Sequence, residues 1–315
     1  METEKEPESN AVKPKAGVEI QRLRNQVTVV IPTLNEEQAI GILVDEVKGR
    51  GYVNVLVVDG YSKDSTAEVA KKSGAHVVTQ HGSGKAGALL TAFRFAGTPY
   101  LLVMDGDGSY DPVDIDKFLP FMDDFDFIKG AREKNGNMSK IHKIGNAIIT
   151  KTFNLLFGTF VADICSGMYM LKTDGVRNMT FEKHPLTVEQ EIAAEIVLSS
   201  GRITSIPVLY KKRLGGKSKT NTWRQGFRDL ATNFDLARTH NPILLFSFIT
   251  SMALIPAVFL LGYASYLDLF LGQYHSGYFL GSLLFFVLGG QGLTVATIAS
   301  MLRRVERKLN NGFHR

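Results

Sequence analysis

The sequence predicts an α/β domain on a mostly parallel sheet, followed by a C-terminal hairpin of two apolar helices. Two observations carry this prediction. Val27–Ile31, Val53–Val58, Ala75–Thr79 and Tyr100–Met104 are short apolar runs rich in β-branched residues, separated by the helical stretches Glu36–Arg50, Ser65–Ser73 and Lys85–Phe95. Such β-α-β-α order makes parallel strands with right-handed crossovers, buried on both faces. Near the other end, Asn241–Leu267 and Ser276–Leu302 are each 27 residues without Asp, Glu, Lys, Arg or His. As helices they would run ~40 Å at ~1.5 Å per residue, longer than a ~30 Å hydrocarbon core. Two buried core helices of a soluble protein are the alternative.

Residues 1–24 are rich in Glu, Lys and Pro and have no apolar run. They are expected to be a disordered tail rather than a signal peptide, leaving the body (residues 25–220) on the synthesis side of a membrane. In an open α/β sheet, ligands bind beyond the carboxyl ends of the strands, so the loops there come next. After the first strand stands Pro32-Thr33-Leu34-Asn35-Glu36-Glu37, and after the second Asp59-Gly60-Tyr61-Ser62-Lys63-Asp64-Ser65-Thr66. For Ser62, Asp64 and Ser65, helix capping is the alternative to a role in binding. Asp59 differs: a carboxylate ending an apolar strand needs a partner such as a base or a ribose hydroxyl.

After the third strand, Gly82-Ser83-Gly84-Lys85-Ala86-Gly87 matches G-x-G-x-x-G in letters only. The dinucleotide fingerprint belongs at the first strand–helix turn, which disfavours an oxidoreductase, and Ala86 after Gly84-Lys85 excludes a P-loop. A glycine turn that opens a helix and carries one lysine suits a diphosphate close to the backbone; a plain tight turn is the alternative. After the fourth strand comes Asp105-Gly106-Asp107-Gly108-Ser109-Tyr110. Two carboxylates at i and i+2 beyond an apolar strand repel each other when bare. A divalent cation resolves the conflict, since Mg²⁺ takes one or two carboxylates plus substrate phosphate oxygens.

Charge sharpens the membrane expectation. Arg202–Arg238 holds nine Lys/Arg and two Asp, net +7 in a chain whose total is +5. This excess lies just before the first apolar stretch, where anionic headgroups or a lipid phosphate would meet it; a solvated face that only fixes topology is the plainer alternative. No nucleic-acid module accompanies the charge, so nucleic acid is not expected as a partner. Within residues 221–240, Trp223, Phe227, Leu230 and Phe234 recur at helical spacing apart from Arg224, Arg228 and Arg238, as in an interfacial amphipathic helix or a core-packing one. Arg238 precedes the spans (residues 241–302), and Arg303, Arg304, Arg307 and Lys308 follow them in the basic tail, 303–315. By the positive-inside rule both ends are cytoplasmic. Pro256 should kink the first span, while Gly289, Gly290 and Gly292 permit close packing in the hairpin or between copies in a homo-oligomer. The single cysteine, Cys165, excludes an intramolecular disulfide.

Taken together, Ile31-Pro32-Thr33-Leu34-Asn35-Glu36, Val58 to Thr66, Gly84-Lys85 and Asp105 to Tyr110 resemble family-2 glycosyltransferases of the GT-A fold. Asp163-Ile164-Cys165-Ser166-Gly167, Glu189-Gln190-Glu191 and Asn241-Pro242 extend the resemblance from about Val27 to Arg304. Within the family the chain looks most like archaeal dolichyl-phosphate hexosyltransferases of N-glycosylation, relatives of dolichol-phosphate mannose synthases. That resemblance implies a GT-A, Rossmann-like nucleotide-sugar domain at the plasma membrane. It implies hexosyl transfer, with inversion, from UDP-glucose or UDP-GlcNAc to dolichyl or polyprenyl phosphate in the bilayer; GDP-mannose, a polysaccharide or a lipid-linked sugar are alternative substrates.

The resemblance also implies roles. Pro32, Asn35, Glu36 and Asp59 would hold base and ribose, and Gly84, Lys85, Asp105 and Gly106 the sugar diphosphate. Asp105 and Asp107, with Ser109, would carry Mg²⁺ or Mn²⁺. Arg132 and Arg213 with Lys217, Ser218 and Lys219 would receive the lipid phosphate, and Glu191 and Asp163 would line the sugar pocket. Asp107, Arg132, Lys85 and Glu191 are the expected catalytic set. Two departures stand out: Asp59 is followed by Gly60 where many relatives have a second acid, and Met168-Tyr169 lacks a cation that relatives carry there. The chemistry itself requires no Ser/His/Asp base, because a phosphate monoester with a second pKa of ~6 is already ionised at neutral pH.

Overall fold

The structure is a computed structural model; it describes residues 16–133, 140–177, 179, 188–214, 231, 234 and 242–313. Lys217, Ser218 and Lys219, and the 221–240 segment apart from Ala231 and Phe234, lie outside the described residues. The chain divides into two compact units, Met1–Lys143 with Val161–Asn221, and Ile144–Phe160 with Thr222–Arg315.

The first unit is built on a seven-stranded sheet. Its strands are β1 (Val27–Thr33), β2 (Val55–Asp59), β3 (His76–Thr79), β4 (Tyr100–Val103), β5 (Phe127–Arg132), β6 (Tyr169–Lys172) and β7 (Ile203–Val208), in spatial order β3-β2-β1-β4-β6-β5-β7. β1 pairs parallel with β2 and β4, and β2 with β3; β6 runs antiparallel between β4 and β5, and β7 closes the edge parallel to β5. The sheet is therefore mostly parallel, as expected. Every residue of β2 and β4, and all of β1 but Pro32, is buried. Their unbroken apolar runs reflect cover on both faces. β3 has an exposed–intermediate pattern because it is an edge.

The crossovers are α2 (Glu37–Gly49), α3 (Thr66–Lys72) and α4 (Gly84–Phe95), each within two residues of its predicted bounds. α2 buries Ile40, Leu43, Val44 and Val47 into a core shared with Val29, Val57 and Leu102. Two short 3₁₀ helices, Pro112–Lys117 and Leu119–Phe121, follow the acidic loop, and α6 (Val188–Leu198) precedes β7.

One expectation is corrected. Ala16–Asn25, most of it inside the expected disordered tail, forms helix α1. Four hydrogen bonds converge on Asp116: from Arg24 Nε (3.1 Å) and Nη2 (2.8 Å), Arg50 Nη2 (2.6 Å) and Tyr52 Oη (2.8 Å). Leu23 packs against the core, and Gln21 Nε2 donates to the Gly51 carbonyl at 2.8 Å. Composition favoured disorder, but these long-range anchors are invisible to composition.

The second unit holds α7 (Pro242–Leu271), α8 (Ser276–Phe313) and most of α5 (Lys140–Phe157). α7 runs through Pro256 without ending. Phe246–Leu271 and Ser276–Ile298, 26 and 23 residues, are long and apolar enough to cross a membrane. Only 11% and 17% of their most apolar windows are buried, the reverse of a soluble core helix, where apolar side chains are enclosed. Of the three glycines expected at a close contact, two make it. A Cβ at Gly289 would meet Leu254 and one at Gly292 would meet Thr250, whereas Gly290 faces open space.

Candidate active site

Strand register brings the loops together. Thr33 pairs with Asp59, and Val30 with Val103, so the carboxyl ends of β1, β2 and β4 emerge side by side. The turn after β4 crosses the end of β1 so closely that a Cβ on Gly106 would lie 2.6 Å from Thr33 Cγ2. A cleft of about 310 Å³ opens there. Pro32, Glu36, Gly84, Lys85, Asp105, Gly106, Asp107 and Arg213, all expected at the site, line it together with Thr33, Leu34, Gly60, Gln80 and Ala88. Gln80 follows β3 directly, and the rule that ligands gather at strand ends could have found it. A larger hollow, about 490 Å³, lies at the opposite end of β4 beside Pro99 and Tyr100, where Asp126 is tied to Lys172 at 2.8 Å.

Inside the cleft both aspartates face a cation. Lys85, from the first turn of α4, reaches Asp105 at 2.6 Å and Glu189 at 2.5 Å. Burial would lower the Lys85 pKa, but these two carboxylates outweigh it and hold it well above its ordinary value. Burial likewise pushes Asp105 up, yet Lys85, Arg132 and Lys129 keep it below the usual carboxylate value. Arg213 is ion-paired with Asp107. Backbone pairing puts it there: Lys211 N donates to Ser109 O (2.8 Å) and Leu214 N to Asp107 O (3.0 Å), while Asp114 accepts from Leu209 N (2.5 Å).

Asp105 is confined from behind as well, since any side chain at Gly167 would overlap its carboxylate. Tyr110 fixes that approach, with its hydroxyl accepting from Gly167 N (2.7 Å) and lying 3.1 Å from Ser166 Oγ. Ser109 Oγ is buried without a hydrogen-bond partner among the described residues, and Ser109 N donates to Asp107 Oδ1 at 2.9 Å. Asp105 and Asp107 bring carboxylate oxygens to the cleft, while Ser109 is not among the residues that line it; carboxylate and hydroxyl oxygens are the donor type a hard divalent cation takes, completed by substrate oxygens.

Other expected residues brace the cleft instead of lining it. Asn35, at a left-handed φ of 52°, donates its N–H to Ser62 Oγ (2.8 Å) and accepts from Lys63 N (2.7 Å), locking the first two loops together. Asp59 is 6% exposed; its Oδ2 accepts from Ser62 N at 3.1 Å, while Oδ1 has no partner among the described residues. The capping alternative holds for Asp64, which accepts from Thr66 N at 3.1 Å, but not for Ser65, whose side chain makes no cap bond.

Arg132 and Asp163 form a bidentate pair at 2.6 and 3.0 Å, with side chains 9% and 12% exposed, and Arg132 stacks over Tyr210. The acid that α6 delivers to Lys85 is Glu189, where Glu191 had been expected to face the sugar pocket. Two residues of helix rotate a side chain by roughly 200°, so the two glutamates leave α6 in different directions. Beside Tyr169, where a cation is missing from the sequence, a neighbouring strand supplies one: Lys129 is its register partner and sits 4.6 Å from its ring centroid.

With this geometry in place, comparison with known proteins is direct. Residues 28–178 match the family model for glycosyl transferase family 2. The glycosyltransferase AglJ of Haloferax volcanii is 34% identical over 70% of this chain and 75% of its own. The dolichyl-phosphate hexose transferase of Haloferax volcanii is 28% identical over 61% of this chain and 85% of its own. Among solved structures, glucosyl-3-phosphoglycerate synthase from Mycobacterium tuberculosis with Mn²⁺, UDP-glucose and phosphoglyceric acid superposes with a TM-score of 0.58 at 18% identity, over 70% of this chain and 83% of that one. That likeness carries the fold, GT-A, and the sequence relationship carries the kinship: this chain belongs to glycosyltransferase family 2.

Proposed function

We propose that the protein transfers a hexosyl group from a nucleotide sugar to a polyprenyl phosphate, dolichyl phosphate in an archaeal membrane, with UDP-glucose or UDP-GlcNAc as donor. The observation that carries this reading is the pairing of two acids with two cations in one cleft: Asp105 with Lys85 and Asp107 with Arg213. Such a cleft can hold two anionic substrates side by side, and the exposed apolar helices α7 and α8 suit an acceptor that cannot leave a bilayer.

Asp105, Asp107 and Ser109 would hold Mg²⁺ or Mn²⁺. When bound, the cation stabilises the charge that develops on the departing nucleoside diphosphate. Pro32 and Glu36 line the cleft and would contact the nucleoside, with Asn35 and Asp59 shaping the loops around it. The Gly84 backbone and Lys85 sit at the start of a 12-residue helix, whose free N–H groups favour the diphosphate. Arg213, with Arg132 and Lys217, Ser218 and Lys219, would take the lipid phosphate. That phosphate is already ionised, so its oxygen attacks C1 of the sugar while the C1–O bond to the diphosphate breaks, and no side-chain base is needed. One displacement inverts the anomeric carbon. Positive-inside charge supports a plasma-membrane protein with the cleft-bearing unit and both termini on the cytoplasmic side.

The test is incubation of membranes carrying the protein with dolichyl phosphate, Mg²⁺ or Mn²⁺ and radiolabelled UDP- and GDP-sugars, followed by lipid extraction. Label from a UDP-sugar should enter the isoprenoid lipid and should vanish with EDTA and in Asp105→Asn and Asp107→Asn, both of which should keep the circular dichroism of the wild type. Label from GDP-mannose alone would reassign the donor. No labelled isoprenoid from any sugar would overturn the reading.

A further inference from the structure

Among the described residues, Lys129 is the one buried cation near the cleft that the proposed reaction leaves unused. It lies on β5, is 0% exposed, and its Nζ has no hydrogen-bond acceptor among the described residues. Its wall is aromatic, with the Phe127 and Tyr169 ring centroids 5.6 and 4.6 Å away. Burial lowers its pKa to about 8, opposed by the carboxylates of Glu189 and Asp163, while Lys85 repels it. Two more buried atoms on the neighbouring elements lack partners among the described residues, the Tyr169 hydroxyl on β6 and Gln190 Oε1 on α6.

A buried ammonium without an acceptor is costly unless something calls on it. The Asp163 charge is already matched by Arg132 through two hydrogen bonds. Glu189 is different: its side chain is 12% exposed and its ion pair is with Lys85, the same cation that holds Asp105. Lys85 lines the cleft, so a diphosphate arriving there competes for it with both carboxylates. Whatever fraction of Lys85 turns to the diphosphate is lost to Glu189, which would then be a half-buried carboxylate without its counter-ion.

We propose that Lys129 is a positioning residue for the transferred sugar: it becomes the counter-ion of Glu189 when Lys85 engages the diphosphate, and so keeps Glu189 aimed at sugar hydroxyls. The inference rests on the donor assignment above. It makes Glu189, rather than Glu191, the acid that accepts from the sugar, and it gives Lys129 the place of the cation absent from Met168-Tyr169. Lys129 itself touches neither substrate. Its effect therefore depends on whether a sugar is attached to the nucleotide.

Calorimetric titration of the full-length protein in detergent with Mn²⁺ separates the cases, using UDP against UDP-glucose and UDP-GlcNAc, and GDP against GDP-mannose. In Lys129→Met, which keeps length and removes charge, affinity for the nucleoside diphosphate should stay within about twofold of wild type. Affinity for the nucleotide sugar should fall about tenfold, or ~1.4 kcal/mol. Lys129→Arg should recover most of the loss, and adding Glu189→Gln to Lys129→Met should cost less than a further twofold, because the pair acts as a unit. Equal weakening of diphosphate and nucleotide sugar would assign Lys129 a merely structural role and overturn the proposal. So would wild-type affinities in Lys129→Met, or losses in the two variants that multiply. If the wild-type protein binds none of the three nucleotide sugars, the donor assignment fails and this inference with it.

Discussion

Gly167 shows how tightly single residues set this site. No side chain fits there, because the Asp105 carboxylate occupies the space and the Tyr110 hydroxyl holds the Gly167 amide from the other side. Gly167→Ala should therefore displace Asp105 by about the width of a methyl group. Misplacement by ~1 Å can cost ~100-fold in rate, so labelled transfer should fall at least that far while circular dichroism stays that of the wild type. Activity within tenfold of wild type would mean that Asp105 tolerates the shift. Much of the acidic site was legible at this scale: Asp105, Asp107, Lys85, Gly84, Glu36 and Pro32 all line one cleft. What local pattern could not tell was direction. Glu189 and Glu191 look alike in sequence, and only the orientation of α6 decides that Glu189 meets Lys85. Asn35 reads as a ligand by its place in the motif, and its backbone N–H and side-chain Oδ1 are engaged by Ser62 and Lys63.

Among elements, α1 teaches the same lesson. Its sequence is no strong helix signal, and its anchor, Asp116, is about ninety residues away in the chain. Burial pushes the Asp116 carboxyl up, but hydrogen bonds from Arg24, Arg50 and Tyr52 more than compensate and hold it below its ordinary value. A depressed folded-state pKa stabilises the fold fully above the unfolded value of ~4 and loses that contribution as pH falls through the folded value. Asp116→Asn should thus lower stability by ~1–2 kcal/mol at pH 7, and the gap to wild type should close below about pH 4. Thermal midpoints of both proteins across pH 3 to 7 check this; a gap independent of pH would place the stabilisation in packing alone. The crossover helices were predicted within two residues because apolar spacing and loop chemistry agreed there. β5, β6 and β7 went unassigned: their runs are short, and β6 is antiparallel, outside the β-α-β rule that revealed the others.

For the molecule as a whole, the expectation at stake is the bilayer. α7 exposes Phe259, Leu269 and Phe270 at 75–78% and α8 exposes Leu280, Leu283 and Leu284 at 59–64%, a surface that water disfavours along most of two helices. Washing membranes with alkaline carbonate should leave the protein in the pellet, and a chain held only by the basic stretch before the hairpin would be released. By itself the sequence determined the class of the molecule: parallel strands from unbroken β-branched runs, a cation-seeking acid pair at a strand end, and two long uncharged helices. These signals are local, since each depends on residues adjacent in the chain and on the burial that their side chains demand. Tertiary structure alone decided which charges meet. Lys85 with Glu189, Arg213 with Asp107, Arg132 with Asp163 and Lys129 beside Tyr169 are joined by strand order and register, and electrostatic pairing depends on distances in space that no spacing along the chain encodes.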